Sequence, residues 1–185
     1  MKTHLLILGL TCALAGAVGV AAEPSAAADK TGTRRVGVYD SRLVAFARFW
    51  SGPYQDKLKE MMTAARAAQA AGDTQRFQRC AQALRDEQTR LHLEVFSTAP
   101  CDEALAALKE RLPEIMKQAD VTVLVSQWDT PTLQQYPEAV RIDVTDLLVQ
   151  EFKIPAAQQK ILVGLKGKQP LSLEEAHKAI AAGQM

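Results

Sequence analysis

The chain has 185 residues and nearly balanced charge, with 22 Lys and Arg against 21 Asp and Glu. That length suits about one domain, and the balance excludes the strongly basic footprint of a nucleic-acid binder. Three cysteines with no Cys-x-x-Cys and no His/Cys zinc spacing leave no sign of a structural metal site.

Residues 1–22 read as a secretory signal. Lys2 supplies the positive start, Leu5 to Val20 is apolar and small, and Val20-Ala21-Ala22 offers small residues before a cut at Glu23. The apolar stretch is short of the roughly twenty residues a membrane span needs, so a single-span anchor and lipidation at Cys12 are the lesser alternatives. Removing the signal removes Lys2 and no acid, which leaves a formally neutral mature chain. Nucleic acid is therefore not expected as a partner.

Residues 23–34, rich in Ala, Ser and Thr, read as a flexible leader. A strand is expected over residues 35–39. Asp40 and Ser41 then stand where N-capping residues should precede a short apolar helix at Leu43 to Trp50. Ser51-Gly52-Pro53 stops it. A first long helix is expected over residues 54–71, with Leu58, Met61, Met62, Ala65 and Ala68 on its apolar face. Gly72-Asp73 marks a helix end and a new N-cap. A second long helix, residues 74–95, carries Phe77, Ala81, Leu84, Gln88, Leu91 and Val95 at heptad spacing. These faces suit two antiparallel helices packed on each other, with modest grip because Ala is frequent in the seam.

Cys80 lies inside the second helix and Cys101 beyond its end. About 16 residues at 1.5 Å each put Cys80 roughly 24 Å from that end, too far for an intramolecular disulfide. Two free or intermolecular thiols are expected.

A third helix begins near Asp102, and Pro113 should kink or break it. Strands follow over residues 121–125 and 140–144, separated by a turn at Asp129-Thr130-Pro131. Thr145 is expected to cap a short helix, residues 146–152. The tail holds a further candidate strand, residues 161–165. Its last helix should start at Ser172, where Ser172-x-x-Glu175 forms a capping box.

The order strand, short helix, long helical hairpin, strand, strand and closing helix, behind a signal peptide, resembles the Skp/OmpH family of periplasmic outer-membrane-protein chaperones. The likeness covers about residues 35–152. It is carried by Val36-Gly37-Val38-Tyr39-Asp40-Ser41-Arg42-Leu43-Val44, by Gln118-Ala119-Asp120-Val121-Thr122-Val123-Leu124-Val125, and by Ile142-Asp143-Val144-Thr145-Asp146-Leu147-Leu148. The resemblance implies an α+β fold, a small β-sheet body interrupted by a long antiparallel helical hairpin with the arm at about residues 54–119. It implies a homotrimer that cages unfolded clients, with no catalytic residues, no metal and no cofactor. The C-terminal extension, residues 153–185, lies outside it.

The function expected is that of a periplasmic, ATP-independent, holdase-like chaperone for unfolded outer-membrane or exported proteins. Met61, Met62, Phe77 and Leu91 are its candidate client contacts. Residues 54–95 carry seven basic and six acidic side chains, so an envelope adaptor on the same scaffold, without client capture, is the alternative.

An enzyme built on Asp40, Asp129 and Asp143 at strand ends is a third possibility. The plainer reading makes Asp40 a helix cap, Asp129 the start of a turn and Asp143 a solvent-facing residue. His92 and His177 read as surface positions. Phe46, Phe49, Trp50 and Tyr54 read as packing between arm and sheet before client contact. Lys153, Lys160, Lys166 and Lys168 read first as a solvated face, with anionic lipid or an acidic client as the sharper option. Contact with a membrane is left open.

Overall fold

The computed structural model describes residues 34–184. The expected signal peptide and nearly all of the expected leader lie outside the described residues. Three short strands, β1 (Arg35–Tyr39), β2 (Val123–Ser126) and β3 (Val140–Asp143), form one sheet in the order β2-β1-β3. Both pairings are parallel, with Val36 beside Val123 and Gly37 beside Ile142. Parallel neighbours need a crossover between them, and the β1-to-β2 crossover is the entire helical excursion.

Alternation along β1 gives the sheet two unlike faces. Val36 and Val125 meet Leu133 in a small cluster on one side, while Tyr39 and Val144 join the main core on the other. Gly37 has a packing role in this core. A Cβ placed there would stand 2.7 Å from Leu124 Cδ2 and 3.1 Å from Val121 Cγ2, so the sheet closes only around a bare backbone.

Helix α1 (Ser41–Phe49) starts where Asp40 was expected to cap it, the carboxylate accepting from the Arg42 N–H. Leu43, Val44, Ala45 and Ala47 bury it in the main core. Helix α2 (Gly52–Ala70) begins with Pro53 in its first turn, and α3 (Thr74–Phe96) follows a sharp reversal. Gly72 takes a positive φ of 70°. The Asp73 N–H donates to the Ala68 carbonyl and the Gly72 N–H to that of Gln69, the double bond of a Schellman ending. Asp73 then caps α3 by accepting from the Arg76 N–H. α3 returns along α2, so that Lys57 and Glu87, equally far in sequence from Gly72, lie 3.1 Å apart.

The expected third helix is two: α4 (Asp102–Ala107) and α5 (Leu112–Ala119). Pro113 sits in the first turn of α5, where its missing N–H costs nothing, and the break falls just before it. Ala104, Leu108 and Ile115 belong to the main core, so α4 and α5 pack with the body. A one-turn helix, α6 (Thr130–Leu133), carries the chain from β2 toward β3.

Helix α7 (Thr145–Glu151) corrects the expected cap. Thr145 is its first helical residue; Asp143 accepts from the Thr145 N–H, and the Thr145 hydroxyl accepts from the Asp40 N–H. The candidate strand at residues 161–165 is also corrected. It is the second half of a helix, α8 (Ala156–Leu165), because Pro155 starts a helical turn through Ala156, Ala157 and Gln158 that the apolar run simply continues. α9 (Leu173–Ala181) opens with the expected capping box at Ser172 and Glu175. The tail returns to the body: the Leu171 N–H donates to the Phe96 carbonyl at 2.9 Å and the Thr98 N–H to that of Leu171 at 3.0 Å.

Candidate functional site

The arm formed by α2 and α3 is thinly packed. Ala65 and Ala68 are buried, whereas Met61, Phe77, Ala81 and Leu84 are half-buried and Gln88 is exposed. Small side chains on α2 let the helices approach but bury little apolar area. Met62 points out, 41% exposed. At 1.5 Å per residue, the four candidate client residues fall at different heights. Phe77 stands near the Gly72 reversal, Met61 and Met62 stand midway, and Leu91 packs against the main core at the root. The structure therefore does not gather them into one patch.

At the root the chemistry changes from apolar to ionic. Arg48 of α1 donates to Glu103 of α4 at 2.6 Å, and Arg90 of α3 reaches the same oxygen at 3.2 Å. Arg90 also donates to Glu94 at 2.7 Å and to Glu87. The Arg48 guanidinium lies over the Tyr54 ring, 4.6 Å from its centre. Burial works to raise the Glu87 carboxyl, but bonds from Tyr54 and Lys57 and the charge of Arg90 outweigh it and hold it low. Glu94 goes the other way. Burial raises its carboxyl despite Arg90, and its second oxygen is buried with no partner among the described residues.

Phe46, Phe49, Trp50 and Tyr54 form a chain of tilted and edge-on rings, with Phe49 and Trp50 centres 4.9 Å apart. Phe46 and Trp50 also pack on the main core. This cluster and the ionic one beneath it hold the arm to the body.

A second polar centre lies at the C-terminal ends of the three strands, where parallel sheets commonly place ligands. Asp40 and Arg42, both buried, pair at 2.8 Å. The Trp128 indole N–H donates to Asp40 at 3.0 Å, and its ring stacks under the Arg42 guanidinium at 4.7 Å. A hollow of about 350 Å³ opens beside them, bordered also by Asp143, Thr145 and Lys166. Asp129 caps α6 through the Thr132 N–H and borders a different hollow. The three strand-end aspartates each hold local backbone in place, and no set of three or more His, Cys, Asp or Glu suited to a metal occurs among the described residues.

No family model, curated protein or solved structure matches the chain.

His92 stacks edge-on against Phe96, and His177 is exposed on α9. Neither Cys80 nor Cys101 is bonded. Cys101 is buried, and burial first, with nearby Glu94 and Asp102, pushes its thiol up to about 12, which leaves it protonated and a poor nucleophile. Sequence reasoning missed the Arg42–Trp128 stack and the Arg48–Arg90–Glu103 junction. An arginine two residues after a capping Asp, at the start of a largely apolar helix, was the available signal for the first. The second joins positions far apart in sequence and had none.

Proposed function

We propose that the chain is an ATP-independent, holdase-like binding protein of the periplasm that shields unfolded outer-membrane or other exported proteins. The observation that carries this reading is the arm: two long helices that depart from the body, pack loosely, and present Met61, Met62 and Phe77 away from the main core. Loosely packed methionine and aromatic side chains adapt to varied apolar segments. The resemblance to the Skp/OmpH family supports the same reading, since its three quoted segments form β1 with the start of α1, the end of α5 with β2, and β3 with α7. In this reading α2 and α3 are the antiparallel arm of that family.

Capture of a whole client takes several arms acting together. The sheet edges β2 and β3 are the natural contacts between copies, and Val140 on β3 is 44% exposed. The test is the mass in solution of the chain from Glu23 onward. A trimer supports the reading and a strict monomer removes its avidity.

The charge balance of the arm favours a second reading, an envelope adaptor on the same scaffold. A pull-down that returns one folded partner and no unfolded proteins would select it.

A further inference from the structure

The second half of helix α8, Ile161 to Leu165, is apolar and sparsely packed. Leu162 is its one buried side chain, Ile161 is 48% exposed and Val163 is 74% exposed. Aliphatic side chains on a helix normally face a covered surface. Residues 153–173 also carry four lysines, Lys153, Lys160, Lys166 and Lys168, and no Asp or Glu, in a chain of formal net charge +1. Lys160 and Val163, three residues apart, are neighbours on the helix surface, and Lys166 caps the C-terminal end of the helix. Lys168 follows just beyond the turn at Gly167.

The acidic groups near these lysines already have partners, including Asp143, which borders a hollow with Lys166 and accepts from the Thr145 N–H. Asp146 lies 3.6 Å from Lys166, with both side chains more than half exposed. Glu151 is held by Arg111, and Glu174 by Lys178. Beside α8 runs a groove of about 420 Å³, with Leu43, Val149 and Ile154 among its apolar lining and Lys153 and Lys166 also bordering it.

We propose that the exposed side of α8, with Lys160 between Ile161 and Val163 and with Lys166 and Lys168 at and beyond its C-terminal end, docks on an anionic lipid surface. Ammonium groups beside projecting aliphatic side chains match a headgroup layer over an acyl boundary. Ile161 and Val163 project in different directions from a convex helix. A deformable lipid surface accepts that shape, whereas an acidic protein would need a cleft cut to fit it. The proposal stands independently of client capture.

The test is co-sedimentation of the full chain with vesicles of phosphatidylglycerol mixed into phosphatidylcholine, and with vesicles of phosphatidylcholine alone. Leu5 to Val20 contributes alike to every variant, so the readout is the ratio of the two partitions. The expected ratio is well above one and falls with added salt. The triple variant Lys160→Gln, Lys166→Gln, Lys168→Gln should lower it by about tenfold or more, since each lysine near such a surface contributes about fivefold. Val163→Ser, at an exposed site, should weaken anionic binding severalfold and keep the salt dependence. Equal partition onto both vesicles, or a ratio untouched by the triple variant, overturns the proposal. Binding to soluble polyglutamate with no preference for anionic vesicles also overturns it and assigns the face to an acidic protein.

Discussion

Arg48 at the end of α1 donates to Glu103 at the start of α4 across 2.6 Å, and Arg90 of the arm reaches the same Glu103 oxygen at 3.2 Å. One carboxylate therefore links body and arm through two guanidinium groups. Glu103 is about half exposed while the Arg48 side chain is 10% exposed, so losing the acid strands the better-buried partner. Glu103→Ala should cost about 1–3 kcal/mol, below the full penalty for a deeply buried pair because water still reaches this one. Urea unfolding of the two proteins checks it.

Glu94 and Glu87 should make stability depend on pH in opposite directions. Burial raises the Glu94 carboxyl above its ordinary 4.5, so between the unfolded and folded values the folded state binds more protons. Its contribution to stability therefore falls as pH rises through that window. Glu87 is lowered; its contribution is present above the unfolded value and is lost as pH falls through the folded one. Glu94→Gln should be no less stable than the parent at pH near neutral and should show a shallower loss above 4.5. Unfolding midpoints across a pH series read both effects.

Glycine substitutions separate packing from conformation. Gly37→Ala forces a Cβ to within 2.7 Å of Leu124 and should cost about 1–3 kcal/mol through overpacking. Gly72→Ala meets no atoms within 4 Å but keeps φ at +70°, so about 1–2 kcal/mol is expected from backbone strain alone. Gly164→Ala, inside α8 and open on all sides, should gain about 0.5–1 kcal/mol. Thermal or urea melts should rank the three in that order.

The buried Asp40–Arg42 pair should behave as a unit. Asp40→Ala leaves a guanidinium, 3% exposed, without its carboxylate and against the Trp128 ring, and should cost about 3–5 kcal/mol. Adding Arg42→Met should recover a large part of that loss, because the stranded charge goes with it. A double-mutant cycle on unfolding free energies measures the coupling.

Much of the fold was legible where local chemistry decides it. Asp40, Asp73 and Ser172 cap the helices that follow them, Gly72 turns the arm, and Pro113 breaks the third helix, each through its own backbone or side chain. What depended on distant partners was not legible. The parallel order β2-β1-β3 rests on pairings across the whole helical excursion, and a run such as Val36-Gly37-Val38 does not encode its neighbour. Ile161-Leu162-Val163 looked like a strand because β-branched residues suit one, yet the chain there continues a helix begun after Pro155. Of the candidate client residues, heptad spacing could not tell Leu91, drawn into the body core, from Phe77 near the arm's reversal. Charge balance within the arm was visible in the sequence, but the concentration of its ionic contacts at the root was not.

The most direct test of client capture is dilution of a urea-unfolded outer-membrane β-barrel protein into buffer with no nucleotide, followed by turbidity. The chain should delay aggregation in proportion to the amount added, and Met62→Asp on the arm's exposed side should weaken the delay. Aggregation that proceeds at the same rate with and without the chain would contradict client capture.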